Sequence, residues 1–126
     1  MYKVEIANSG DYSFQVKSKD YELLVDIKGQ GITPPDALLA SLGSCIGVYI
    51  RKYAETARLA LGAFSITVEA ELGKEAPVCF KKIDAYIDLK DTQLDMRRKS
   101  ALIEFIGHCP VHETLKANPE VVVKFK

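Results

Sequence analysis

Residues 37–50 run without a single charged side chain and carry Gly43, Gly47, Ser41 and Ser44 among leucines, alanines and isoleucines. The stretch opens with a helix start. Thr33 is placed as N-cap, Pro34 at the first helical position and Asp36 where a capping box has its acidic partner. Leu38, Leu42, Cys45, Ile46, Tyr49 and Tyr53 then recur at helical spacing on one broad face. Ala40, Gly43, Ser44 and Gly47 make the opposite side small rather than polar. A helix that is apolar or small all round is expected to be buried on every side. In a chain of 126 residues this predicts a sheet on one side and a second helix or a partner subunit on the other. Each interior glycine costs on the order of 1 kcal/mol of helix stability against alanine, so two of them imply close packing.

The remaining segments fit around that helix. Residues 2–8, 12–17 and 21–27 alternate or are rich in β-formers. Ser9-Gly10-Asp11 and Ser18-Lys19-Asp20 separate them with turn chemistry. After the helix, which should run to about Arg58, residues 64–72 and 79–89 form a second strand pair. Asp91-Thr92 opens a second helix from about Leu94 to Ile106, ended by Gly107. A short helix over residues 110–117 and a last strand over 121–125 follow. The expected order is βββ-α-ββ-α-α-β, an α+β protein forming one domain over residues 1–126.

Lys+Arg and Asp+Glu balance at 17 each, with no block of like charge, which argues against nucleic acid or an anionic membrane as partner. The N-terminus alternates and is charged where a secretory signal would be apolar, and the uncharged run is too short to span a bilayer. A soluble, cytoplasmic protein is expected. Three cysteines, an odd number, do not make a secreted disulfide framework. In a reducing compartment they are packing residues, metal ligands or redox groups.

Two of them sit in unusual places. Cys109, in Gly107-His108-Cys109-Pro110, becomes the N-cap of the short helix if Pro110 is its first residue. The helix dipole and unpaired backbone N–H groups there are expected to lower its pKa, with His108 and His112 at hand. Cys45 has no cation among its helical neighbours Ser41, Leu42, Val48 and Tyr49. Lys52 lies about 10 Å further along the axis, so any activation must come from another segment or subunit. Cys79, at the start of a strand, reads as structural.

The segment Thr33-Pro34-Pro35-Asp36-Ala37-Leu38-Leu39-Ala40-Ser41-Leu42-Gly43-Ser44-Cys45 resembles that of the OsmC/Ohr family, in which Leu-Leu-Ala leads to a cysteine. His108-Cys109-Pro110-Val111-His112 is similar to the second motif of that family, and the element order matches over essentially the whole chain. The resemblance implies an OsmC-like fold, an intertwined homodimer in which two antiparallel sheets wrap central buried helices. It also implies a stress-response thiol peroxidase that needs no cofactor or metal. Cys45 would attack an organic hydroperoxide, Cys109 would condense with the resulting sulfenic acid to a disulfide, and an external dithiol would reduce it.

The sequence departs from that family at the arginine which the hydroperoxide branch draws from its N-terminal strands, for the first arginine here is Arg51. Lys17 and Lys28 are the candidate substitutes, as point charges without a bidentate fork. The glutamate of that branch has no clear match either; Asp36 occupies the nearest acidic position, nine residues before Cys45, and has the cap as its plain role. Two other readings stand beside the peroxidase. One is a zinc site of Cys45, His108, Cys109 and His112, should they converge. The other is a non-catalytic dimer holding an apolar ligand.

Overall fold

The computed structural model describes residues 1–126 and resolves into two compact units, Met1–Ala40 and Ser41–Lys126. In the first unit, β1 (Glu5–Ala7), β2 (Ser13–Ser18) and β3 (Tyr21–Asp26) form an antiparallel sheet in the order β1-β2-β3. Ser18 pairs with Tyr21 across a two-residue turn in which Lys19 takes a left-handed φ of 54°. Cross-strand register puts Ile6, Val16 and Leu23 in one row, beside the pair Phe14 and Val25. Of these only Val25 is buried, while Ile6 and Leu23 are exposed. The unit therefore carries an apolar sheet face without a cover of its own.

Asp26 is buried and fully used. Its carboxylate accepts the backbone N–H groups of Lys28 (2.9 Å) and Gln30 (3.0 Å), and its own N–H donates to the Ile32 carbonyl (3.0 Å). This ties the turn at residues 27–31 back onto β3, where Ile32 bridges Val25 in parallel. Gly31 is obligatory there, because a Cβ would collide with the Leu24 carbonyl.

The long helix α1 (Pro34–Thr56) begins in the first unit and supplies the core of the second. Thr33 caps it as expected, accepting from Asp36 N–H (3.3 Å) and donating its hydroxyl to the Asp36 carboxylate (2.9 Å). Its C-terminus closes with Leu59 N–H donating to the Ala54 carbonyl (2.9 Å) across a left-handed Arg58 (φ 53°). Leu42, Ile46, Ile50 and Ala54, four apart, form the buried stripe.

In the second unit, β4 (Ser65–Leu72) pairs antiparallel with β5 (Phe80–Asp88). Their inward rows pair as Ile66 with Ile87, Val68 with Ala85, and Ala70 with Ile83. The glycines of α1 lie on this sheet. A Cβ on Gly43 would stand 3.0 Å from Val68 Cγ2, and one on Gly47 3.5 Å from Ile66 Cδ1. α2 (Met96–Ile106) adds Leu102 and Ile106, and Phe105 packs against Tyr49 and Tyr53 at ring distances of 5.4 and 5.8 Å. Its cap is Asp95, which accepts from Arg98 N–H at 2.8 Å, so the helix starts two residues later than the expected Leu94. Arg51 spans to the loop after α1, donating to the Leu61 (2.8 Å) and Gly62 (2.6 Å) carbonyls while it covers the Phe64 ring. α3 (Pro110–Ala117) comes last.

Two expectations fail in the single chain. Residues 121–125 do not form a strand: no other strand of the chain pairs with them, and Val121, Val123 and Phe125 are 82–105% exposed. A strand needs a neighbour to take its backbone hydrogen bonds, whatever its β-propensity. Nor is α1 buried on every side, for Ser41, Ser44 and Val48 face outwards. The chain's own sheet and helices supply one cover for α1, not two.

Candidate active site

The second unit brings Cys45 and Cys109 together. α1 carries Cys45 one residue before Ile46 in the buried stripe, which leaves its thiol half-buried at the edge of the core. Cys109 continues the apolar row of α2, following Leu102 and Ile106 at helical spacing, and is 0% exposed. The two thiols are neighbours: Cys45 packs against the cluster that contains Cys109, and its side chain is among the groups that set the ionisation of Cys109. All three cysteines are in the thiol form.

Cys109 is also the N-cap of α3. With φ −64° and ψ 141° it has the extended backbone of a cap, and its Sγ accepts from His112 N–H at 3.4 Å, with Pro110 at the start of the helix. The expectation that this position lowers its pKa is overturned. Burial pushes the thiol above its ordinary value and the adjacent Cys45 adds to the rise, against the opposing pull of the His112 and Val111 N–H groups. The cap donors act in the predicted direction, but the apolar core outweighs them. Cys109 is a core residue as well as a cap, in line with Leu102 and Ile106.

Other singled-out residues fall elsewhere. His108 is exposed, and its backbone N–H donates to the Phe105 carbonyl at 3.2 Å. His112 meets Cys109 through its main chain rather than its ring. No three His, Cys, Asp or Glu side chains converge to hold a metal ion, so the zinc arrangement of Cys45, His108, Cys109 and His112 is not formed. Cys79 lines an open groove at the β4–β5 turn together with Lys74 and Lys81.

In the first unit, Asp36 is engaged with Thr33. Lys28 holds its ammonium 5.3 Å from the centre of the Tyr12 ring. Lys17 stands between Glu5 and Glu22 across its neighbouring strands.

Two antiparallel sheets, three helices and a buried thiol in contact with a half-buried one define an α+β protein with a paired-cysteine centre. A family profile described as OsmC-like protein matches residues 27–124, and the chain belongs to that family.

Solved structures agree on the fold. An OsmC-like protein from Mycoplasma pneumoniae superposes with a TM-score of 0.81 at 17% identity, covering 92% of this chain and 87% of its own. An organic hydroperoxide resistance protein OsmC from Legionella pneumophila gives 0.67 at 22% identity, covering 94% and 92%. One from Elizabethkingia anophelis, crystallised with thiocyanate, gives 0.66 at 19%, covering 94% and 91%. No curated protein matches the chain in sequence. No helix is long and apolar enough to cross a membrane.

Proposed function

We propose that the protein reduces organic hydroperoxides through a sulfenate–disulfide cycle of Cys45 and Cys109. The observation that carries this reading is the contact between two thiols of unequal access, one half-buried and one at 0% exposure. The names of the Legionella and Elizabethkingia proteins, which belong to hydroperoxide resistance, support the substrate class.

Access assigns the roles. A peroxide reaches Cys45 and not Cys109. The Cys45 thiolate attacks the terminal oxygen, the O–O bond breaks, and the alcohol leaves with one proton, so that Cys45 carries the sulfenic acid. Cys109, whose thiol is held above its ordinary pKa by burial and by its neighbour, stands beside Cys45 in its protonated form. It then displaces water from the sulfenic acid as the S–S bond forms, which protects Cys45 from further oxidation. An external dithiol is oxidised as it returns both thiols. No step calls for a metal or cofactor.

Lys17 and Lys28 are the candidates to steady the Cys45 thiolate, and Asp36 and His108 are further candidates for support. Cytoplasmic location follows from a cycle that needs a reducing dithiol pool. The family profile runs from residue 27 in the first compact unit through the second to residue 124, which supports reading the chain as one OsmC-like domain over residues 1–126. The homodimer has three supports in the single chain: the uncovered apolar face of β1-β2-β3, the outward row of α1 and the unpaired residues 121–125. Each is a surface that a second copy would cover.

Peroxide consumption with a dithiol tests the assignment. Cys45→Ser should abolish turnover, whereas Cys109→Ser should allow one equivalent and leave a sulfenic acid on Cys45 by mass spectrometry. Sulfenic acid on Cys109 in the Cys45→Ser protein would reverse the roles. Lys28→Ala and Lys17→Ala should slow the first oxidation step without changing the single equivalent, and unchanged rates in both would remove the lysines from the mechanism.

A further inference from the structure

The sulfur that caps α3 is the same sulfur that meets Cys45. In the thiol form, Cys109 Sγ accepts the His112 N–H at 3.4 Å, the one side-chain cap on the first turn of α3. α3 has little else to hold it. It is eight residues long with no buried side chain, well below the length of roughly 12–15 residues at which an isolated helix is even marginal in water. Its own bonds, Thr114 Oγ1 to the Pro110 carbonyl (2.7 Å) and the exposed Lys116–Glu113 pair (3.3 Å), lie within the helix and anchor it to nothing. Only Val111 packs on the core. α2 differs on both counts, with a carboxylate cap at 2.8 Å and two buried residues.

We propose that formation of the Cys45–Cys109 disulfide uncaps α3, so that the order of Pro110–Ala117 reports the oxidation state of the thiol pair. The idea rests on the proposed thiol cycle for its oxidation step. An organic hydroperoxide converts the Cys45 thiol to a sulfenic acid and departs as the alcohol. The Cys109 sulfur then bonds to the Cys45 sulfur, the S–O bond breaks, and the oxygen leaves as water with the Cys109 proton. The new bond requires an S–S separation of about 2.05 Å in a fixed dihedral range, far shorter than any non-bonded thiol contact. The two sulfurs must therefore close on one another, and any shift of Cys109 Sγ towards Cys45 takes it out of the position from which it accepts the His112 N–H. The first turn of α3 then has donors without an acceptor, and the helix frays from that end.

Amide hydrogen exchange tests this on the whole protein, with diamide as oxidant so that the result does not depend on peroxide chemistry. Disulfide formation is verified by the loss of two hydrogens in intact mass. The His112 and Glu113 amides should exchange about fivefold faster after oxidation, as expected for a lost N-cap, while the Leu102 and Ile106 amides stay as they were. In the reduced state, Cys109→Ala should reproduce the acceleration, and Cys109→Ser, whose hydroxyl still caps, should not. A verified disulfide with unchanged α3 exchange overturns the inference and leaves the thiol cycle standing. A protein in which diamide forms no Cys45–Cys109 bond overturns both. Unchanged exchange in reduced Cys109→Ala would show that the sulfur was never a working cap.

Discussion

Gly43 and Gly47 lie four apart on α1, and alanine at the two should have opposite effects. In a helix interior Gly→Ala gains on the order of 1 kcal/mol from backbone propensity alone. At Gly47 the new methyl would rest 3.5 Å from Ile66 Cδ1 and 3.8 Å from Phe64, ordinary contacts, so burial adds to the gain. Gly47→Ala should therefore stabilise the protein by about 1 kcal/mol.

At Gly43 the methyl would stand 3.0 Å from Val68 Cγ2, about 0.5–1 Å inside a comfortable carbon–carbon separation. Val68 is β-branched, on a paired strand and packed against the core, so it cannot turn aside cheaply. Overpacking of this kind costs about 1–3 kcal/mol, and Gly43→Ala should come out destabilising by about 1 kcal/mol after the propensity gain. Urea unfolding followed by circular dichroism at one fixed protein concentration measures both. Adding Val68→Ala to Gly43→Ala should recover part of the loss, giving a coupling of at least about 1 kcal/mol in a double-mutant cycle. Equal stabilisation by both alanines, or additive behaviour of Gly43→Ala and Val68→Ala, would refute the close approach of α1 to β4. Because Cys45 lies between the two glycines, Gly43→Ala should also slow disulfide formation by diamide, and Gly47→Ala should not.

Burial holds the Cys109 pKa above that of an unfolded thiol, so the stabilisation it brings is complete below the unfolded pKa of about 8.5 and is lost as pH rises through the folded value. The urea midpoint of the wild type should accordingly fall above that pH, and the fall should be absent in Cys109→Ser. Sedimentation at micromolar concentration should show a dimer burying on the order of 2,000 Å² in total. Deleting residues 119–126 should weaken it, and a folded wild-type monomer would refute it. Arg51→Lys keeps the charge but loses the fork that reaches both the Leu61 and Gly62 carbonyls. It should cost about 1–2 kcal/mol in urea unfolding and leave thiol oxidation rates unchanged, which separates Arg51 from the thiol centre.

The order of elements was legible in the sequence because local chemistry decides it. Thr33-Pro34-Pro35-Asp36 starts α1 wherever the rest of the chain goes, and the 42, 46, 50, 54 spacing selects its buried side. Pro110 likewise fixes where α3 begins and makes Cys109 its cap. Residues 121–125 show the limit. Their valines favour a strand, but a strand is a relation between two segments, and no other strand of this chain pairs with them. The uncharged length of α1 foretold burial without telling how much of it one chain provides. At Cys109 the cap and the core pull the thiol in opposite directions. The sequence contained both features, but only the packing of Leu42, Ile46, Leu102 and Ile106 around the sulfur determined which prevails. Desolvation depends on everything that surrounds a group, and two of these neighbours, Leu42 and Ile46, are separated from Cys109 by more than sixty residues of chain.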